Sequence, residues 1–251
     1  MNYSFKILCV IALLFSFYQG YSQDQSYIVS TNRPNQTDDI GVMYPGYIQL
    51  ESGIGFQKTS AGTVSTNTVL IPNLQLRFGL VKNLELNVFY DYNHAQYSSD
   101  IQELNLDNHF FVLGSKYHLW KSNGVVPEAT AVFNIYYENY NGSSEPLDWE
   151  LRFIFKNYLS NRLAFAYMLR LRNNLSFTLN PSYAINDNWS VFFEYYSDIL
   201  FDSQESNQNG INLGLGYLVN NRVTLDLMYG TFFEESVDNY FVTTGVGWWI
   251  K

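Results

Sequence analysis

Hydrophobic and polar positions alternate along most of this chain with a period of two. Trp189, Val191, Phe193 and Tyr195 share one side of a segment; Ser190, Glu194 and Asp198 share the other, with Phe192 and Tyr196 among them. Ile211, Leu213, Leu215, Tyr217 and Val219 oppose Asn212, Gly214 and Gly216, and Val223, Leu225, Leu227 and Tyr229 oppose Thr224, Asp226 and Gly230. Leu163, Phe165, Tyr167, Leu169 and Leu171 oppose Arg162, Ala164, Ala166, Arg170 and Arg172. Successive side chains of a β-strand point to opposite faces, so each segment has one oily face and one polar or small face. No segment carries a helical stripe. Strands are predicted to begin near Tyr47, Thr68, Leu84, Asn108, Glu128, Leu147, Arg162, Leu175, Trp189, Gly210, Val223 and Tyr240, about 12 in all. Short turns fall near Lys82, Ser122, Asn161, Asp187 and Asn221. Longer loops are expected over Lys58 to Asn67, Tyr92 to Asn108, Asn139 to Pro146, Ser203 to Asn209 and Glu234 to Asn239, with Asn173 in a short connection where a long one is due.

Alternation of this kind suits a water-soluble sandwich or an outer-membrane barrel. In a sandwich the oily face turns into a core; in a membrane barrel it meets lipid, and aromatic girdles mark both interfaces. Tyr117, Trp120, Tyr158, Trp189, Tyr217 and Trp248 lie close to the short turns. Tyr90, Tyr92, Tyr137, Tyr140, Trp149, Tyr195, Tyr196, Tyr229 and Tyr240 lie toward the long loops. Two bands of amphipathic rings at strand ends fit a bilayer. The expectation is an all-β transmembrane antiparallel barrel with short periplasmic turns and longer extracellular loops. The even strand count returns the chain to its starting side.

Composition narrows the rest. Aromatic residues make up 18% of the 251, and the formal charge is -9. So acidic a chain offers no footprint for nucleic-acid phosphates, and so aromatic a chain is not disordered. Residues 1–22 read as a signal peptide: Lys6 precedes an apolar run from Ile7 to Phe17, and Gly20, Tyr21 and Ser22 follow. The only cysteine, Cys9, lies in that run, so export leaves no disulfide or Cys-ligated metal. Residues 23–45 form a polar periplasmic lead, and 46–251 the barrel.

The lead contains Ser30-Thr31-Asn32-Arg33-Pro34-Asn35-Gln36-Thr37-Asp38, and the first strand Pro45-Gly46-Tyr47-Ile48-Gln49-Leu50-Glu51-Ser52-Gly53. Together they resemble the opening of the outer-membrane transporter family labelled "MetA-pathway of phenol degradation", whose pattern runs T-D-R-P-D-x-T-E, then P-x-G, then Q-x-E-x-G. Arg33, Pro34, Thr37, Gly46, Gln49, Glu51 and Gly53 match; Asn32 and Asn35 replace two aspartates. The turn Phe78-Gly79-Leu80-Val81-Lys82-Asn83-Leu84-Glu85-Leu86 resembles the family's first inner hairpin. The resemblance implies a barrel and uptake of aromatic or other hydrophobic compounds. It implies no catalytic residues.

With the oily faces on lipid, the lumen receives Glu51, Arg77, Glu85, Asp91, Lys116, Glu150, Arg152, Lys156, Arg170, Arg172, Glu194, Asp198 and Asp226. Charges of both signs either pair across a filled interior or line a water-filled path, and they exclude a strongly ion-selective bore. Arg33 is expected to reach in and pair with Glu51 or Glu85, making the lead a plug. Phe89, Tyr136, Phe192 and Tyr196 are lumen stacking candidates. Expected partners are outer-membrane lipids, lipopolysaccharide and a small solute; no cofactor is implied. Acidic loop residues, including Asp100, Glu103, Asp107, Glu145, Asp148, Asp202, Glu205, Glu234, Glu235 and Asp238, leave the outer surface negative, suited to solvation or to divalent cations bridging phosphates.

Two rival classes remain at this point. A phospholipase-like barrel needs a nucleophile beside a base, and only His94, His109 and His118 are available, with Ser115 nearest to His118. A non-conducting structural or adhesin barrel needs no site at all.

Overall fold

The computed structural model describes residues 28–200 and 208–250. The signal segment, Cys9, the first residues of the lead, Asp202, Glu205 and Lys251 lie outside them. Strands β1 (Ile48–Ala61), β2 (Val64–Val81), β3 (Leu84–Ser98), β4 (Glu103–Trp120) and β5 (Glu128–Tyr140) are followed by a two-residue rung, β6 (Ser143–Ser144). The remainder are β7 (Asp148–Tyr158), β8 (Leu163–Leu171), β9 (Asn174–Ala184), β10 (Trp189–Leu200), β11 (Gln208–Asn220), β12 (Val223–Phe233) and β13 (Asp238–Trp249). Each strand pairs antiparallel with the next across the tiny β6, and β1 pairs with β13. The sheet therefore closes as a 12-stranded barrel with no free edge, the condition for crossing a bilayer with strands.

Lipid dictates the outer face. Leu213, Leu215, Leu225, Leu227, Phe193 and Leu169 are all exposed, and polar or small residues alternate with them toward the lumen. Tyr117, Trp120, Tyr158, Trp189 and Trp248 ring the short-turn end, and Tyr137, Tyr140, Trp149 and Tyr229 the opposite end. Tyr196 does not belong to that outer band. It is 4% exposed and points inward, because it shares parity with Glu194.

Two of the expected long loops are strand instead. Lys58 to Asn67 continues the β1–β2 ladder to Ala61↔Val64, around a two-residue turn with Gly62 at a φ of 60°. Tyr92 to Asn108 continues β3–β4 to Ser98↔Glu103. Thr59, Ser60, Thr66 and Thr68 keep strand propensity there but lose the oily alternation, since these rungs lie beyond the part of the wall that must face lipid.

Candidate functional site

The lead lies inside the barrel. From Ile28 to Tyr47 it has no regular structure, so its backbone N–H and C=O groups need other partners. Inward carboxylates supply them at three places. The Asn32 N–H donates to Oε2 of Glu51 at 3.0 Å and that of Arg33 to the same oxygen at 3.3 Å. Gln36 N–H donates to Oε2 of Glu194 at 2.9 Å, and Thr37 gives both its N–H and its hydroxyl to Oε1 at 2.7 Å. Met43 N–H donates to Oε2 of Glu85 at 2.7 Å. All three glutamates are fully buried.

Carbonyl oxygens of the lead are met by donors of the same wall. Arg77 gives Nη1 to the oxygen of Ser30 at 2.8 Å and Nη2 to that of Gly41 at 3.0 Å. Gln49 also donates to Ser30, Thr130 to Ile40, and Lys116 to Asp39. Arg77 further joins two of the carboxylates, reaching Glu85 through Nε at 2.7 Å and Glu51 through Nη1 at 3.1 Å. Burying such charges is tolerable only because each is paired and hydrogen-bonded. Apolar side chains of the lead are buried with them, Val29, Met43 and Ile40, the last packed among Val132, Ile154 and Met168.

Arg33 corrects one expectation. Its guanidinium does not pair with Glu51 or Glu85, whose oxygens Arg77 already occupies. It crosses to Asp226 at 3.4 Å and Thr243 at 2.8 Å, with Asn73 alongside. The space for it comes from Gly53 and Gly245, which face each other across β1 and β13; a Cβ on either would fall on the guanidinium.

A second group of charges climbs the wall of β7 and β8. Arg152 binds Asp38 of the lead at 2.8 Å and Glu150 at 2.5 Å. Arg170 holds Asp198 at 2.9 Å. Arg172 binds Asp148 at 2.6 Å and Glu138, and stacks over the Tyr136 ring at 4.2 Å. Asp148 is thus tied to the rim rather than free in a loop. In the lead itself, burial disfavours ionisation of Asp39, but Lys156, Lys116 and Arg77 outweigh it and hold the carboxyl at about 2.

Between the lead and the β7–β12 side of the wall a cleft of about 240 Å³ stays open. Asn180, Ser182, Ser190, Gly216 and Thr224 face it from the barrel, with Phe192 among them. Partners such as Thr130, Thr178, Asn73 and Thr243 were not singled out in the sequence; their inward parity was the available signal.

Ser115 and His118, the pair weighed for a hydrolase, are not brought together. Ser115 and His118 differ by three positions on one strand and so project to opposite faces. His118 donates from Nε2 to the Glu128 carboxylate, 2.9 Å away, and His94 and His109 are engaged by Asp107 and Tyr90. Among the described residues no cluster of three His, Cys, Asp or Glu side chains is arranged to hold a metal ion.

The family model described as "Putative MetA-pathway of phenol degradation" matches residues 111–250, more than half of the sequence. The chain belongs to this family. No curated protein sequence matches. Among solved structures, the chain is similar to an outer membrane channel from Pseudomonas putida F1 (TM-score 0.61, 12% identity, 86% of this chain and 100% of that one). It is also similar to the translocator domain of the autotransporter NalP from Neisseria meningitidis (0.55, 8%, 80% and 88%) and to the CymD monoaromatic hydrocarbon channel (0.51, 9%, 82% and 88%). At such identities the likeness establishes the fold, an outer-membrane β-barrel.

Proposed function

We propose that the protein is an outer-membrane channel for passive passage of small solutes, with the lead as a plug seated at its periplasmic end. The observation that carries this reading is a polar gap left beside the seated lead. The lead is held on both flanks, through Gln49, Glu51, Arg77, Glu85, Lys116 and Thr130 on β1–β5 and through Arg152, Glu194 and Asp226 on the other side, yet a cleft of about 240 Å³ stays open along β7–β12. A barrel built only as a scaffold has no need of such a gap. The family description and the aromatic hydrocarbons named for CymD support small ring compounds as the solutes.

Planar-bilayer conductance and liposome swelling with sugars, amino acids and aromatic acids test the reading. A variant lacking residues 28–45 is expected to conduct more than the full chain. A second reading, a barrel that does not conduct, draws on how completely the lead is bonded. It predicts silence from the full chain at all voltages and no swelling with any solute.

A further inference from the structure

We propose that the outward wall of β1–β5, just above the aromatic girdle, is a docking surface for the phosphate groups of outer-leaflet lipopolysaccharide, with His94, His109 and Lys58 as its contacts. The inference needs only the outer-membrane barrel and stands apart from the channel reading.

Parity and register place the surface. His94 shares parity with the exposed Val88, and His109 with the exposed Phe111 and Leu113, so both imidazoles point away from the lumen. Tyr90, Phe111 and Tyr137 lie opposite one another on β3, β4 and β5 and form the girdle on this flank. The next outward rung is Tyr92, His109 and Asn139, and the one above it Val69, His94 and Asp107. Aromatic rings mark the depth at which hydrocarbon gives way to headgroups, so side chains one and two rungs higher continue the lipid-facing surface into the headgroup layer.

Hydrogen bonds fix how the imidazoles are presented. Nδ1 of His94 donates to Oδ1 of Asp107 at 2.7 Å, and the Tyr92 hydroxyl donates to the same oxygen at 2.7 Å. Nδ1 of His109 shares a hydrogen bond with the Tyr90 hydroxyl at 3.0 Å, and its ring lies 5.0 Å from that of Tyr92. Each ring is therefore held by one nitrogen. Nε2 of each has no hydrogen-bond partner among the described residues. A protonated imidazole gives a phosphate oxygen a charge-assisted hydrogen bond through such a nitrogen.

Charge separates this strip from the rest of the extracellular end. Asp100, Glu103, Glu234, Glu235 and Asp238 crowd the loop tips, a surface that repels phosphate. Below the tips, the outward positions of β1–β4 hold one carboxylate among the described residues, Asp107, against Lys58, His94 and His109. Asn67, Gln96 and Asn105 supply uncharged donors between them. The charges of Lys58 and Asp107 cancel, so each proton taken up by an imidazole adds positive charge facing the headgroups. Imidazole is the side chain that gains its charge in the physiological pH range. The groups facing the two rings are Tyr90, Tyr92, Asp107, Asn139 and Val69; Glu103 stands two rungs higher on β4, and Lys58 two strands away on β1.

The test is binding of fluorescently labelled lipopolysaccharide to the purified full chain in detergent, followed by anisotropy in EDTA so that no divalent cation bridges the partners. Binding is expected to be about fivefold tighter at pH 6 than at pH 8. His94→Ala with His109→Ala is expected to weaken it about tenfold at pH 6 and to erase the pH difference, and Lys58→Ala to weaken it about threefold at both. Phosphatase-treated lipopolysaccharide is expected to bind the unaltered chain no better than the double variant binds the intact lipid. Circular dichroism and heat-modifiable mobility establish that each variant is folded; a double variant that fails them is replaced by His94→Gln with His109→Gln, for which the same losses are expected. Equal binding by the double variant and the unaltered chain at pH 6 overturns the proposal, as does equal binding of treated and intact lipid. Binding that appears only with Mg²⁺ assigns the lipid to the acidic loop tips and overturns it too. So does displacement of the lipid by inorganic phosphate at equal concentration, which marks a site for the free ion.

Discussion

Thr37 and Glu194 lie 157 residues apart, yet the threonine gives both its amide and its hydroxyl to one carboxylate oxygen at 2.7 Å. The same carboxylate also accepts from Asn180 at Oε1 and from Asn212 and the Gln36 N–H at Oε2. The pair is the point at which the mobile-looking part of the sequence becomes part of the wall. Hydrogen bonds to a charged group contribute about 1.5–3 kcal/mol. A Thr37→Val, Glu194→Ala double-mutant cycle in vesicle unfolding is expected to return a coupling in that range, and Glu194→Ala to raise single-channel conductance.

Arg77 stands between two buried carboxylates. Arg77→Met leaves Glu51 and Glu85 facing each other without their cation, at a cost of about 3–5 kcal/mol. Urea unfolding of the folded barrel in lipid vesicles measures it. The triple variant Glu51→Gln, Arg77→Met, Glu85→Gln is expected to recover most of that loss, since no uncompensated charge remains.

Gly245 protects the position of Arg33. Gly245→Val puts a side chain where the guanidinium lies, so Arg33 must leave Asp226 and the lead must shift. Maleimide labelling of Asn35→Cys, in a chain whose only native cysteine is Cys9, is expected to accelerate several-fold in the Gly245→Val background. Adding Arg33→Ala removes the clash with the guanidinium but not the one with the Ser52 carbonyl oxygen, 2.5 Å from the same Cβ, so barrel stability is expected to recover only in part.

Asp39 gives seating of the lead an acid limit. Its carboxyl is lowered from 3.8 to about 2, so its share of the stability is fully present above pH 3.8 and disappears as the pH falls through 2. Conductance of folded barrels pre-equilibrated at each pH is expected to show no Asp39-dependent change from pH 7 to 5. Asp39→Asn is expected to raise conductance at pH 7 and to remove the change seen between pH 4 and 2.

The outer face answers to lipid alone. Leu213→Arg, on an exposed outward position of β11, is expected to cost about 2–4 kcal/mol if it lies near the bilayer midplane. Leu213→Phe is expected to be close to neutral. Folding yield into vesicles, titrated with urea, distinguishes them.

Strand parity was written plainly in the sequence wherever the wall touches lipid, because there every second residue must be apolar. It follows from that parity that Glu51, Arg77, Glu85, Lys116, Glu150, Arg152, Arg170, Glu194 and Asp226 share the inner face. Parity failed for Lys58 to Asn67 and Tyr92 to Asn108, where the ladder runs on outside the bilayer and Ser, Thr, Asn and Gln replace the oily set. Docking of the lead was less legible still. A segment without period shows no face, and its contacts are chosen by groups far along the chain: nothing near Arg33 points to Asp226, which lies 193 residues away. The Arg33-Pro34 motif marked that the segment mattered without saying what it touches.

The unequal strand lengths leave the rim of the cylinder slanted. β2 and β4 run for 18 residues each, whereas β8 has 9 and meets β9 across a turn at Arg172 and Asn173. At about 3.3 Å per residue, that difference is on the order of 30 Å of wall along the strand direction. One flank of the mouth is therefore a tall parapet and the other a low sill. The sill stands above the flank that carries Asn180, Ser182 and Phe192, so the lowest stretch of wall lies over the gap beside the lead.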